Sequence, residues 1–336
     1  GVKTASDGEK FIFNQSKKLK CDYINPYLTP GKAPVLLRRS LVLSELPKMV
    51  WGNKATDGGY LNLSKQEKDL LIKTNFNAGK FIKKYVGSQE FIKGIEKWCI
   101  WVKDEELDEA SKIEDIFIRF QNVKQFRNAS KARSTRLASN YSHRFIQIQH
   151  EPGNALIVPS VSSSSREYIP IGFVDKNTVV NAQCYAIYDS PTYLFSILSS
   201  KMHMVWVNAV AGRLKNDIRY SSALCYNSFP FPQISKNRKQ DLLQITFQIL
   251  EEREIYSDKT MGQLYDPNKM PQKLKEAHKQ NDLSIEKCYR QTPFSNDDER
   301  LEYLFSLYER MVELEQSENT LFANEVMKKR KRRINA

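Results

Sequence analysis

No Cys-x-x-Cys pair occurs in this chain of 336 residues. Its five cysteines, Cys21, Cys99, Cys184, Cys225 and Cys288, are odd in number and widely spaced, which signals neither a zinc site nor a disulfide framework. Reduced thiols in a cytoplasmic protein are the expectation. Four histidines, His143, His150, His203 and His278, stand away from any cysteine at ligand spacing, so no metal site is expected. Enzyme signatures are missing too. Gly52 and Gly58 have the wrong separation for a GxxxxGK[ST] phosphate loop, and no lysine follows. There is no GxGxxG, HExxH or GxSxG, and no Glu-x-Lys of the kind metal-dependent nucleases use. No catalytic residue is expected in this chain. Only Tyr193 to Gly212 resembles a membrane segment, and Lys201, His203 and Asn208 interrupt it. A buried helix is the better reading, with no membrane partner. No signal peptide opens the chain. Gly1 in place of Met is expected to mark a processed fragment of something longer.

Acidic residues are in deficit. Lys and Arg number 52 against 39 Asp and Glu, giving a net charge of +13 and a pI near 9.3. Such an excess suits a polyanionic partner, nucleic acid before anionic membrane. The alternative is a basic protein without one. Hydrophobic residues make up 40% and aromatics 11%, enough for a sizeable core, and the length allows two domains.

Residues 1–40 are polar and punctuated by Pro26, Pro30 and Pro34, and read as a lead-in. Lys48 to Ser64 reads as a hairpin around Asp57-Gly58-Gly59. Ser64 followed by Glu67 is a capping box that opens a helix, with Leu70, Leu71, Phe81, Ile82 and Tyr85 as apolar contacts around Gly79 and Gly87 as its end. Lys97 to Val102 reads as a buried strand, and Ile113 to Ser130 as a helix with Ile116, Phe120 and Val123 on one face. Strands are expected from Arg144, Ala155, Glu167 and Ala182, then one long apolar helix from Ser190-Pro191. After Phe-Pro-Phe-Pro, Phe229 to Pro232, the texture turns charged and helix-periodic, with a cap at Ser295 for the last helix. The boundary is placed near Ser235. The fold class is α+β: a mixed or antiparallel sheet domain with inserted helices over 41–234, then an all-α segment over 235–318. Lys328 to Arg333, within 319–336, reads as a disordered basic end.

Three stretches carry binding chemistry. Between Arg119 and Arg144 lie seven Lys or Arg and no Asp or Glu. Lys124, Arg127 and Lys131 share a helical face, and Arg133 and Arg136 follow. That face can lie along a phosphate backbone, with a merely solvated face as the alternative. Ser163, Ser164, Ser165 and Arg166 form a polar loop whose hydroxyls and amides suit phosphate oxygens, with a flexible loop as the alternative. In Gly212 to Tyr220, Arg213, Lys215, Asp217 and Arg219 alternate, with Asn216 among them. On one side of an extended loop, Lys215 and Asp217 would stand about 6–7 Å apart. Lys suits guanine O6 and N7, and Asp suits cytosine N4. A purely phosphate-binding loop would gain nothing from the carboxylate. A surface salt bridge is the alternative.

The segments PKMVWGNKATDGGYLNLS, KKYVGSQEFIKGIEKWCIWV, ALIVPSVSSSSREYIPIGF, SSKMHMVWVNAVAGRLKNDIRYSSALCYNSFPFP and LLQITFQILEERE resemble the C-terminal part of the MmeI-like DNA methyltransferases of restriction-modification systems. The likeness extends from roughly Ile24 to Val312. It implies a target recognition domain plus a helical segment, with double-stranded DNA as partner. It also implies an N-terminal domain outside this chain that binds S-adenosylmethionine, carries Asn-Pro-Pro-Tyr or Asn-Pro-Pro-Phe, and methylates adenine at N6. Some members add a nuclease domain. Asn25-Pro26-Tyr27 lacks the second proline of that tetrapeptide and reads as a turn, so no cofactor is expected in this fragment and turnover by it is not expected. Phe-Pro-Phe-Pro before a long helix is also similar to type I specificity subunits. By the resemblance, Lys215 and Asp217 read one base pair jointly, with guanine favoured on one strand. Arg219 is a third base-reading candidate. Arg213, Asn216 and the serine loop are groove contacts. A helical interaction scaffold and an RNA-binding module are the competing readings.

Overall fold

The computed structural model describes residues 9–14, 17–29 and 34–334, with side chains as far as Ser317. Strands β1 (Lys10–Asn14) and β2 (Lys17–Cys21) pair antiparallel. Residues 34–47 form no regular element, yet they are pinned. Asn227 Nδ2 donates to Arg39 O at 2.8 Å, Ser44 Oγ to Phe229 O at 2.6 Å, and Tyr226 OH to Pro47 O at 2.6 Å. The end of the expected lead-in is thus built into the protein from Leu36 onward.

Strands β3 (Val50–Trp51) and β4 (Asn62–Leu63) do not pair with each other, so the expected hairpin is absent. Asp57 instead turns the segment inward, accepting from Leu61 N at 2.6 Å. Helix α1 (Lys65–Thr74) opens on the Ser64–Glu67 capping box but stops at Thr74 rather than Gly87, because Asn75 is extended and Ile82 and Tyr85 belong to a strand. Then come β5 (Ile82–Val86), α2 (Ser88–Lys93), β6 (Trp98–Ile100), α3 (Leu107–Ala110), α4 (Glu114–Asn128) and α5 (Arg133–Leu137). Arg144 to Gln149 forms no strand and makes only a bridge from Gln147 to Lys54. Five strands follow: β7 (Ala155–Pro159), β8 (Val161–Ser162), β9 (Gly172–Val174), β10 (Thr178–Val180) and β11 (Cys184–Tyr188).

The expected long apolar helix is two, α6 (Leu194–Leu198) and α7 (Lys201–Val210). Ser199-Ser200 breaks it, because the Ser200 hydroxyl accepts from His203 N at 3.2 Å and starts a new helix. Strands β12 (Gly212–Leu214) and β13 (Asp217–Arg219) follow. The chain then becomes helical: α8 (Lys236–Glu254), α9 (Met261–Leu264), α10 (Gln272–Tyr289) and α11 (Asp297–Ile334). Helix α11 is capped by Asn296 rather than Ser295, since Asn296 Oδ1 accepts from Glu299 N at 2.9 Å. Its backbone runs on through 319–334, where a disordered end was expected. That stretch holds no Gly or Pro and is rich in Lys and Arg, both good helix formers.

Sheet order is β10-β5-β6-β4, β3-β11-β7-β9 and β12-β13-β8. Among the described strand pairs only β10 with β5 is parallel, beside an isolated parallel bridge of Asn53 with Asn181. The fold is α+β, with mixed and antiparallel sheets followed by helices, as the sequence indicates. One apolar core joins the first of these sheets to α4 through Leu63, Phe81, Ile100, Ile116, Phe120 and Val123. A larger core lies between β7, β11, α6 and α7 on one side and the C-terminal helices on the other, with Leu156, Phe195, Trp206, Phe229, Leu242, Ile249, Leu274, Ile285 and Leu304 fully or almost fully buried. The C-terminal helices therefore share a core with the β3-β11-β7-β9 sheet and with Ile218 of β13. Each buried Leu, Ile or Phe contributes about 1.5–3 kcal/mol.

Candidate nucleic-acid interface

Strands β12 and β13 close a hairpin through a two-residue turn, Lys215-Asn216. Lys215 adopts φ 56°, the left-handed region that glycine enters most easily. Leu214 pairs with Asp217, Arg213 with Ile218 and Gly212 with Arg219. The tip is exposed and the base is rooted. Ile218 and Tyr220 are buried, and the Tyr220 hydroxyl lies 3.0 Å from His203 Nε2. Burial holds that imidazole at about 3, so it is neutral.

The turn changes the parity that the sequence implies. Asp217 and Arg219 share a face, with Leu214 across from Asp217. Arg213 falls on the other face and donates to Asn208 O at 3.1 Å. Lys215 sits at the tip itself, and Asn216 beside it is exposed. Leu214, 50% exposed, is an apolar member of the Asp217–Arg219 face that the sequence does not mark by charge. Its position one residue before the turn was the available signal.

The serine loop joins this hairpin. β13 pairs with β8 through Ile218 with Ser162 and Arg219 with Val161. Ser163 and Ser165 hydroxyls lie 2.9 Å apart, and Ser164 and Ser165 are exposed. Arg166 is half-buried, and burial pulls its pKa below the usual value against the opposing fields of Asp217 and Asp266. Its Nη1 reaches only Ser162 Oγ, at 3.5 Å, its buried Nε has no partner, and it makes no ion pair among the described residues.

The basic helix packs on the other core. Lys124, Lys131 and Arg133 are exposed on α4, the loop after it and α5. Arg136 Nη1 donates to Ser130 O and Lys131 O, both at 2.8 Å, and closes the α4–α5 turn. Arg127 is a correction. It is fully buried and binds five backbone carbonyls, those of Ala55, Thr56, Ala138, Tyr141 and Arg144, at 2.7–3.1 Å. No phosphate reaches it. The signal lay in the apolar stripe: Ile116, Phe120, Val123 and Arg127 follow helical spacing, so Arg127 continues the inward face.

Among the described residues, no cluster of His, Cys, Asp or Glu could hold a metal ion, and no helix is long and apolar enough to cross a membrane.

Residues 30–233 match the family model described as MmeI, target recognition domain, and residues 234–315 match MmeI, C-terminal domain. The chain belongs to the MmeI family. DNA methyltransferase A of Bacillus subtilis (strain 168) is 38% identical over 304 residues, which is 90% of this chain and 34% of the relative. The solved type IIL restriction-modification enzyme MmeI, determined in complex with DNA, superposes with a TM-score of 0.87 at 32% identity, over 92% of this chain and 42% of that one. The chain thus spans about a third of the Bacillus subtilis relative and under half of the solved enzyme. The hairpin and serine loop both lie inside the recognition-domain match, and α8 to α10 lie inside the C-terminal match.

Proposed function

We propose that this chain is the sequence-reading part of a site-specific adenine-N6 DNA methyltransferase of a restriction-modification system. It grips duplex DNA and presents the target adenine for flipping into a catalytic domain that lies outside it and uses S-adenosylmethionine. The observation that carries this reading is the rooted hairpin. Lys215, Asp217 and Arg219 stand at or near its tip, and among the described residues none of the three makes a side-chain hydrogen bond or ion pair. The field of Asp217 reaches Arg166, but its oxygens accept no side-chain hydrogen bond among the described residues and are open to an outside donor.

Lys215 donates to guanine O6 and N7, and Asp217 accepts from cytosine N4 of the same pair. Arg219, on the Asp217 face, reaches a further base, with the serine hydroxyls bordering it. Lys124, Lys131 and Arg133 add phosphate contacts, which carry affinity but no sequence information. The deciding experiment selects duplexes from a random pool, then repeats the selection with the Lys215→Glu, Asp217→Arg double variant. The preferred base pair changes at one position, at a cost of roughly 1–3 kcal/mol for the old site. Uniform weakening on every duplex would make these residues phosphate contacts, and preference for single-stranded RNA would favour the RNA reading.

A further inference from the structure

The two reading loops are held together at one end by a ladder of only two residue pairs, Ile218 with Ser162 and Arg219 with Val161. Tyr220 N also donates to Ser160 O at 2.9 Å, so this tie lies at one end of the two loops. Their other ends meet at a residue of the C-terminal segment. The serine loop leaves through Tyr168, whose buried hydroxyl donates to Asp282 Oδ2 at 2.7 Å. The hairpin is launched by α7, whose first backbone amide, Lys201 N, donates to Asp282 Oδ1 at 2.6 Å. One carboxylate on α10 therefore accepts from both lead segments.

The contacts around it make the joint stiff. Tyr168 stacks on His278, one turn before Asp282, with ring centroids 4.3 Å apart. Asn281 Nδ2 donates to Ser196 O at 2.9 Å, and Arg253 Nη1 donates to Ile171 O at 2.8 Å. A carboxylate at a helix N-terminus also favours the helix dipole.

We propose that Asp282 is a positioning residue for base reading: it closes a frame with the β8–β13 ladder and fixes the serine loop against the hairpin. The C-terminal segment thereby sets sequence discrimination without touching a base. This inference rests on the DNA-reading function proposed above.

The test uses the chain with the duplexes selected by the wild type and single-base variants of them. Asp282→Leu removes both acceptors at similar volume; Asp282→Asn keeps an acceptor for Lys201 N; Tyr168→Phe removes one donor only. Leu at this position lowers the ratio of selected to single-variant affinity by about tenfold, the worth of one well-placed base contact. The salt slope, set by phosphate contacts, stays as it was. The Asn and Phe substitutions lower the ratio by less, and they report even where the Leu variant does not fold. Equal weakening on all duplexes, with the ratio intact in every folded variant, overturns the inference and leaves the reading function standing. A wild-type chain that binds every duplex equally overturns the reading function itself.

Discussion

Replacing Arg127 with Met separates a fold contact from a DNA contact. The guanidinium spends all its donor groups on five carbonyls drawn from three segments: 55–56, 138–141 and 144. Hydrogen bonds to a charged group contribute about 1.5–3 kcal/mol each when summed naively. Desolvation opposes that sum, since burial alone pulls the Arg127 pKa down while Asp57 supports the charge. Removing one side of such a buried polar arrangement costs about 3–5 kcal/mol, against a total stability of about 5–15 kcal/mol. For a protein of this size the melting midpoint falls by on the order of 10 °C. Urea unfolding of Arg127→Met beside wild type measures the loss directly. Arg127→Lys is expected to recover little, because an ammonium cannot span three segments. An unchanged midpoint together with a shallower salt slope would refute the reasoning and return Arg127 to the DNA face.

Lys124→Ala, by contrast, is expected to keep the unfolding midpoint and to lower the salt slope of duplex binding by about one unit, read from affinities across salt concentrations. Stability should also fall with pH through Asp282. Burial pushes its carboxyl from 3.8 to about 7, opposed by the Tyr168 hydroxyl and the Lys201 amide. A folded value above the unfolded one means that its contribution is complete below pH 3.8 and lost as pH rises through about 7. Wild type should therefore lose about 1 kcal/mol per pH unit between about pH 4 and 7 and level off above neutrality, and Asp282→Asn should lose less; parallel urea curves at both ends of that window decide it. Lys215→Gly relieves the φ of 56° but loosens the unfolded chain, so its unfolding free energy should stay within about 0.5 kcal/mol while guanine preference at one position disappears in duplex selection.

Local signals were legible where one residue type decides the outcome. The Ser64–Glu67 box opens a helix, the Lys97–Val102 run contains β6, and the apolar period of residues 113–130 matches α4. What was not legible depends on distant partners. Val50 and Leu63 look like arms of one hairpin, but the available edges of β11 and β6 pair with them instead. The hairpin of β12 and β13 has no glycine to mark its turn, so alternating charges read as one face although the turn puts Arg213 behind. Arg127 looked like the middle of a cationic stripe because charge was weighed before its spacing from Val123. Asp282 lies 81 residues from Lys201 and 114 from Tyr168, and nothing in its neighbours announces either.

The clasp between residues 36–47 and the segment before α8 bears on any attempt to transplant specificity between relatives. Ser44 alone donates to Phe229 O and accepts from Phe231 N, while Arg39 reaches forward to Glu315 on the final helix. A chimera spliced at the Phe-Pro-Phe-Pro stretch, or begun after residue 47, would tear open a seam stitched from both ends of the chain. On the proposed function, specificity in such a scaffold is better rewritten in place, letter by letter at the hairpin and serine loop, than moved as a cassette.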